Sequence, residues 1–142
     1  MRYLNETDPE WDRHDGGAGH DEAPWGAADG DLAHAYLAAL RAQGTDNARR
    51  VFDHLIEHPG AQVTSAELDE RVLGAPAGEV NPHRVSGVVS AMCKPLEGAG
   101  RRYPFTWWEQ EVGVGARYGV RPSVAAVFLA ARIRLDRGAG PS

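Results

Sequence analysis

Apolar residues recur at helical spacing over much of the chain, and each run is bounded by residues that start or stop a helix. A first helix is predicted over residues 31–43, between Asp31 and Gly44. A second helix, which ends at Pro59-Gly60, has the i, i+3, i+4, i+7, i+8 pattern of a buried face. The residues on that face are Ala48, Val51, Phe52, Leu55 and Ile56.

Two further helices are predicted from their starting signals. Thr64 and Glu67 have the spacing of a capping box, which predicts a helix that begins at the next residue after the threonine. Asn81 supplies an N-cap and Pro82 the first helical position, where proline is favoured, so a helix is predicted over residues 82–94. Its apolar residues recur on one face, which we expect to be buried.

Alternating residues between 103 and 120 predict two strands joined by a glycine-containing turn, that is, a β-hairpin. Because successive side chains of a strand point to opposite faces, the adjacent Trp107 and Trp108 cannot enter the same core. The face that Trp107 shares with Tyr103 and Phe105 is richer in aromatic rings, so we expect Trp107 to be buried and Trp108 to point outward. An outward Trp108 would be covered by the N-terminal tail or a partner subunit, or would belong to an interaction surface.

A short strand at residues 61–63 and a last helix over residues 123–136 complete the predicted elements. Their order predicts a fold that is mainly α with a small antiparallel β-hairpin (α+β). It forms one domain of residues 31–137, a size that suits a single hydrophobic core. Residues 1–30 are rich in Asp, Glu, Gly, Pro and Ala, and predict an acidic tail that is disordered or loosely docked. Residues 138–142 are expected to be a disordered end.

Charge is distributed unevenly along the chain. The net charge is -5, yet residues 1–31 hold nine acidic residues and two arginines, whereas residues 79–142 hold nine basic residues and five acidic ones. An acidic tail joined to a basic C-terminal half keeps nucleic-acid binding open despite the overall charge. The tail could cover the basic half in the same chain, or it could bind a protein partner.

Several classes of protein are not favoured. No apolar run approaches the roughly 20 residues that span a bilayer, and the acidic N-terminus lacks the hydrophobic stretch of a secretory signal. We therefore expect a cytoplasmic protein with no membrane contact. A single cysteine, Cys93, allows no intramolecular disulfide. His54 and His58 have a metal-binding spacing without a third ligand, and no catalytic motif is present, so we expect no enzyme, cofactor or metal site.

Residues 45–121 resemble a winged helix-turn-helix domain. The stretches that carry the resemblance are "ARRVFDHLIEHPG" as core helix, "VTSAELDERVLG" as second helix, "NPHRVSGVVSAMCKPLEGAG" as third helix, and "RRYPFTWWEQ" with "GARYGV" as the wing. The predicted helices at residues 31–43 and 123–136 flank this core. The loop "GAPAGEVNP" departs from the pattern, because it is longer than the usual turn of about 3–4 residues. The domain is also similar to an uncharacterised group of small proteins from GC-rich bacteria.

The resemblance implies a DNA-binding transcription regulator, with the third helix (82–94) in the major groove of double-stranded DNA and the wing (103–120) on its backbone. The outward face of that helix is small and polar, and arginines beside the wing are suited to phosphates. The candidate DNA-binding residues are His83, Arg84, Ser86, Gly87, Ser90, Lys94, Arg101, Arg102 and Arg117. The third helix carries little charge, so a homodimer is a natural way to double its contacts. The flanking helices either pack on the core or form the dimer interface.

A second hypothesis keeps the same fold but changes its partner. The domain would then be a winged-helix adaptor that binds protein and not DNA, through exposed aromatic residues of the wing and the acidic tail. Aromatic residues and arginine are enriched at protein interfaces, which favours Trp108 as part of such an interaction surface.

Overall fold

The computed structural model describes residues 2–12, 22–111 and 115–139. Within them, five α-helices pack with one four-stranded antiparallel sheet, so the predicted combination of helices with a small antiparallel sheet is confirmed. The helices are α1 (Gly30–Arg41), α2 (Asn47–Glu57), α3 (Ser65–Glu67), α4 (Arg84–Cys93) and α5 (Pro122–Ala139). The strands are β1 (Arg2–Tyr3), β2 (Ala61–Thr64), β3 (Thr106–Glu111) and β4 (Gly115–Gly119), in the spatial order β1-β2-β4-β3.

Local signals account for where the short helices begin. The Thr64 hydroxyl oxygen accepts a hydrogen bond from the Glu67 backbone N–H at 3.1 Å, so α3 starts at Ser65 as the capping pattern predicts. A π-helical turn over Leu68–Val72 continues α3, and a 3-10 turn over Lys94–Leu96 continues α4. Helix α4 is thus shorter than the predicted span of 82–94.

The predicted hairpin is present, and it adds to β2 to form the main part of the sheet. Trp107 pairs with Tyr118 and Trp108 pairs with Arg117 across β3 and β4. Strand β2 pairs antiparallel with β4, and β1, which the sequence did not predict, pairs antiparallel with β2. The turn of the hairpin, residues 112–114, lies outside the described residues.

The main core lies between the helices and one face of the sheet, which we call the inner face. Phe128 of α5 is fully buried at its centre, with ring centroids 5.0 Å from Phe52, 5.6 Å from Tyr36 and 4.8 Å from Trp25. The Tyr36 hydroxyl donates to the Met92 carbonyl oxygen at 2.9 Å, which ties α1 to α4. Burial at this density makes the core intolerant of lost volume.

The two flanking helices pack on each other and on this core. Leu37 and Leu40 of α1 and Ala125 of α5 are buried together with Phe128, so most of both apolar stripes is used within the chain. Helix α5 continues to Ala139, so the first two residues of the predicted disordered end are helical. Residues 140–142 lie outside the described part of the chain.

The N-terminal tail contacts the domain in two places. Residues 2–12 lie against the sheet and residues 22–29 against the start of the hairpin, while residues 13–21 are not among the described residues. Leu4, Trp11 and Trp25 are all buried, each with at most 6% of its surface exposed. In the described residues, no helix combines the length and apolar character needed to cross a bilayer.

Candidate functional site

The outward face of α4 is built from small and polar side chains. Ser86, Gly87, Ser90 and Lys94 are exposed, whereas the apolar residues on the opposite side of the helix are buried in the core. A Cβ added to Gly87 would meet no atom within 4 Å, so the middle of this face is open. The Ser90 hydroxyl donates to the Ser86 carbonyl oxygen at 3.2 Å. The face can therefore approach another surface closely.

His83 lies at the start of this face and is exposed. Its backbone N–H donates to the Asn81 side-chain oxygen at 3.0 Å, which fixes the chain just before α4 begins. The imidazole stands next to the helix N-terminus, where the partial positive charge of the backbone amides favours an anion.

Arg84 has an internal role that the sequence did not reveal. Its Nε lies 2.9 Å from Oδ1 of Asp69, a carboxylate with no exposed surface, and its Nη2 donates to the Glu79 carbonyl oxygen at 3.1 Å. The contact with Oδ1 is an ion pair without a well-directed hydrogen bond, while Oδ2 accepts from the Asn81 N–H at 2.8 Å. These contacts close the long loop before α4. About half of the Arg84 side chain, 51%, remains exposed.

Arg101 and Arg102 hold the tail instead of standing free beside the hairpin. An Nη2 of Arg101 donates to Asp29 Oδ1 at 2.9 Å, and Nε of Arg102 donates to the Glu22 carbonyl oxygen at 3.0 Å. The Trp25 indole N–H donates to the Arg102 carbonyl oxygen at 2.7 Å. The hydrogen bond from Arg101 holds the pKa of the Asp29 carboxyl below its usual value. Both arginines thus bind residues 22–29, so part of their hydrogen-bonding capacity is used within the chain and is not available to a phosphate.

Trp108 points away from the main core, as expected, and its ring is buried. Only 6% of it is accessible, because residues 2–12 cover the face of the sheet that points away from the helices, which we call the outer face. Its indole N–H donates to the Glu10 carbonyl oxygen at 2.9 Å, and its ring centroid lies 5.5 Å from that of Trp11. Leu4 completes this small apolar cluster. The sequence left open whether the tail, a partner subunit or an interaction partner covers Trp108; in the structure the tail covers it.

Glycines permit the close approach of the tail and of the Trp108 ring to the sheet. A Cβ at Gly60 would lie 2.6 Å from the Leu4 carbonyl oxygen, and the φ of Gly60 is +82°, a value that favours glycine. A Cβ at Gly119 would lie 2.5 Å from the Ala61 carbonyl oxygen and 3.3 Å from the Trp108 ring. Neither position would accept a larger residue without a shift of backbone.

A carboxylate anchors the middle of the same tail segment to α5. Glu6 accepts hydrogen bonds from the Ser123 backbone N–H at 2.6 Å and from the Ser123 hydroxyl at 2.9 Å. Its second oxygen lies 3.3 Å from Nε of Arg121. A carboxylate at the first turn of a helix also interacts favourably with the helix dipole.

Arg117 lies on the outer face of β4, an interior strand of the sheet. Its side chain is partly buried and lines a polar cleft of about 450 Å³ together with Arg2, Glu10 and Trp108. The predicted outward direction of Arg117 is therefore confirmed, but the acidic tail residue Glu10 lies in the same cleft.

A second cleft, of about 470 Å³, separates α4 from the hairpin. Trp107 lies in it, partly buried and packed against the main core, so its predicted direction is correct although its burial is incomplete. Burial raises the pKa of the Cys93 thiol, and a hydrogen bond with Tyr103 partly offsets that effect. The thiol is therefore mostly protonated at neutral pH, which makes it a weak nucleophile. The cleft has the size of a small-molecule site, and the described residues that line it are uncharged.

The described residues contain no group of three or more His, Cys, Asp or Glu side chains that could hold a metal ion. His54 and His58, which have metal-binding spacing in the sequence, have ring centroids 4.3 Å apart. The His58 Nδ1 atom lies 2.8 Å from the His54 carbonyl oxygen, so that ring is used in a local contact.

The family of the chain follows from comparison with known proteins. A model of a family of unknown function, DUF6416, matches residues 25–135. The chain belongs to the DUF6416 family. The match includes Trp25 and every helix from α1 to α4, and it begins after the tail segment 2–12 that covers Trp108. Comparison with curated proteins and with solved structures gives no match.

Proposed function

We propose that this DUF6416 domain is a winged helix-turn-helix that binds double-stranded DNA and acts as a transcription regulator in the bacterial cytoplasm. The element order α2, β2, α3, α4, β3, β4 supports the fold, because a hairpin paired with a short strand follows three helices. In this proposal α4 enters the major groove and β3 with β4 forms the wing.

The observation that carries the DNA proposal is the open outward face of α4. Exposed Ser86, Gly87 and Ser90 leave room for a groove wall, and the two serine hydroxyl groups can contact phosphate or base edges. Lys94 lies at one end of this face and the exposed edge of Arg84 at the other. Because Nε of Arg84 is held by Asp69, its remaining guanidinium donors are oriented before DNA binds.

The ion pair of Arg101 with Asp29 reduces the charge available for phosphate binding, and the pair of Arg84 with Asp69 does the same on α4. With Arg84 partly neutralised and Lys94 just after the helix, about one to two phosphate contacts per monomer are expected, and each contributes about 0.9 to the salt slope. A homodimer on a palindromic site would double that number. In this proposal the tail covers part of the DNA-binding surface of its own chain, because the Asp29 carboxylate neutralises Arg101.

Fluorescence anisotropy tests the proposal with DNA fragments selected from a random pool, at several salt concentrations. We expect Ser90→Glu to weaken binding more than about tenfold, because it places a carboxylate against phosphate at the centre of the α4 face. The matched control Thr45→Glu adds the same charge at an exposed loop and should change affinity less than about twofold. Equal binding by both variants, or no wild-type binding at low salt, would contradict the DNA proposal.

A further variant tests the tail as a cover. Asp29→Asn removes the charge that neutralises Arg101 while keeping the size of the side chain. If Arg101 is a latent phosphate contact, the variant should bind DNA more tightly and its salt slope should rise by about one unit. Unchanged affinity and slope would leave Arg101 with a structural role alone.

A second candidate function is an adaptor that binds protein. The observation that favours it is the outer face of the sheet, where an acidic, tryptophan-containing segment is already held by backbone, aromatic and carboxylate contacts. The adaptor and the DNA-binding function use different surfaces, the outer face of the sheet and the outward face of α4.

A further inference from the structure

Residues 2–12 are held on the outer face in the manner of a bound peptide. The backbone of β1 pairs with the free edge of β2, and the Leu4 N–H donates to the Gly60 carbonyl oxygen at 2.8 Å. Strand addition of this kind is a common way for a sheet to recognise an extended peptide. The backbone contacts therefore define the direction of the segment without specifying its side chains.

Two kinds of side-chain contact supply specificity. Trp11 and Leu4 pack against Trp108, and the Glu6 carboxylate accepts hydrogen bonds from the N–H and hydroxyl groups of Ser123. The other residues between these anchors make few buried contacts: Asn5, Thr7 and Pro9 are exposed. The contacts of the acidic segment thus follow the pattern Leu-x-Glu-x-x-x-x-Trp, with an extended start at Arg2–Tyr3 and a 3-10 turn over Pro9–Asp12 that carries the tryptophan.

The family model matches the residues that hold the segment but not the segment itself. Gly60, Trp108, Arg121 and Ser123 all lie within the span that the family model matches, whereas residues 2–12 lie before it. The receiving residues therefore belong to the family domain, and the segment that occupies them lies outside the matched span.

The segment is also attached at few points. It contributes a two-residue strand and two buried apolar side chains, in contrast to the helices, which are buried along whole faces. Segments with few buried contacts open locally at a lower free energy than the core. Exchange of this segment for another peptide needs no opening of the main core, because Trp108 lies in a separate apolar cluster.

We propose that the outer face is a peptide-binding site that takes an acidic segment with the Leu-x-Glu-x-x-x-x-Trp pattern from a partner protein, in exchange for residues 2–12. Arg121 and the N-terminus of α5 receive the carboxylate of the incoming segment, Trp108 receives its indole ring, and β2 pairs with its backbone. Peptide binding at this site does not require DNA, so it can be tested independently of the DNA proposal.

The test uses a fluorescein-labelled synthetic peptide with the sequence of residues 2–12 and the full-length Trp11→Ala protein, in the absence of DNA. Trp11→Ala weakens the chain's own segment and leaves the receiving residues intact. We expect saturable binding to Trp11→Ala. Binding to the wild type should be at least about tenfold weaker, because its own segment competes at an effective concentration of about millimolar.

Peptide variants separate the proposed site from nonspecific adhesion. A peptide carrying Trp11→Ala should lose binding, and one carrying Glu6→Gln should bind several-fold more weakly. If Trp11→Ala protein does not fold by circular dichroism, Glu6→Gln protein takes its place, since it loosens the anchor on α5 alone. A folded receiver that fails to bind the unmodified peptide overturns the proposal.

A mixing experiment identifies the source of the segment. Trp11→Ala protein has an intact receiving face, and Trp108→Ala protein has an intact segment. A stable complex between the two variants by sedimentation, without self-association of either one, would name a second copy as the occupant and overturn the assignment to a separate partner. Monomers in the mixture, with peptide binding by Trp11→Ala, support that assignment.

Discussion

The two faces of the β3–β4 hairpin are both covered, but by different kinds of structure. On the inner face, Phe105 and Tyr118 pack under helices that also bury one another. On the outer face, Trp108 is covered by a tail segment through Leu4 and Trp11. Side chains on the two faces are buried to a similar extent, but we expect them to become exposed in different ways. The helices can separate from the sheet only if the main core unfolds, whereas the tail segment can open on its own.

The largest expected effect is on the inner side. Phe128→Ala should lower the free energy of unfolding by about 3–5 kcal/mol, because it leaves a cavity among Phe52, Tyr36 and Trp25. Denaturant titration followed by circular dichroism measures this change. On the same helix, Ile133 is 53% exposed, and Ile133→Ala should change the free energy by less than about 0.5 kcal/mol.

A smaller effect is expected on the outer side. Trp108→Ala should cost about 2 kcal/mol, less than a fully enclosed aromatic residue, because the covering segment can rearrange or detach. Amide exchange at Leu4 should lose its protection, while protection in α2 and α5 falls only by the global change. A loss of stability equal to that of Phe128→Ala would show that both faces form one cooperative unit.

The Glu6 carboxylate should contribute less to the free energy of unfolding than Trp108 does. Glu6 is 44% exposed, so the free-energy change of Glu6→Gln should stay below about 1 kcal/mol. Hydrogen exchange at the Ser123 amide should become faster, because that amide loses its charged acceptor. Glu70→Gln, at an exposed position after α3, is the matched control and should leave this exchange rate unchanged.

The smallest expected effect is a pH dependence of the tail segment 22–29. The pKa of Asp29 lies below its usual 3.8 because of the hydrogen bond from Arg101. The native state therefore binds fewer protons there, so this contribution to stability is present above about pH 4 and is lost as the pH falls through the lowered pKa. Trp25 fluorescence between pH 5 and pH 2 follows the change. Arg101→Gln should flatten this part of the profile; an unaltered profile would exclude the Asp29 pair as its cause.

Much of the helical architecture could be predicted because burial leaves a periodic pattern. The stripe of α2, the cap at Thr64 and the alternation that directs Trp107 inward all report local geometry, and the structure agrees with each. Boundaries were less accurate, as at α4, because capping residues such as Pro82 are compatible with more than one starting turn.

The candidate site was predictable only in part. The exposed positions on α4 followed from the helical period, but the partners of Arg84 and Arg101 did not. Asp69 and Glu79, which hold Arg84, and Asp29, which holds Arg101, lie in other parts of the chain. A buried aspartate such as Asp69 looks like any solvated acid in the sequence. The two tryptophans of the tail, Trp11 and Trp25, are the sequence signal that indicates docking, because a disordered acidic segment has little use for indole rings.

By itself, then, the sequence determined the order of the elements and which face of each helix and of the hairpin is apolar. These properties depend on spacings of two to four residues along the chain. Only the tertiary structure decided what covers Trp108 and what binds the arginines beside the hairpin. Those contacts join residues such as Glu10 and Trp108, which are 98 positions apart, and no local spacing encodes them.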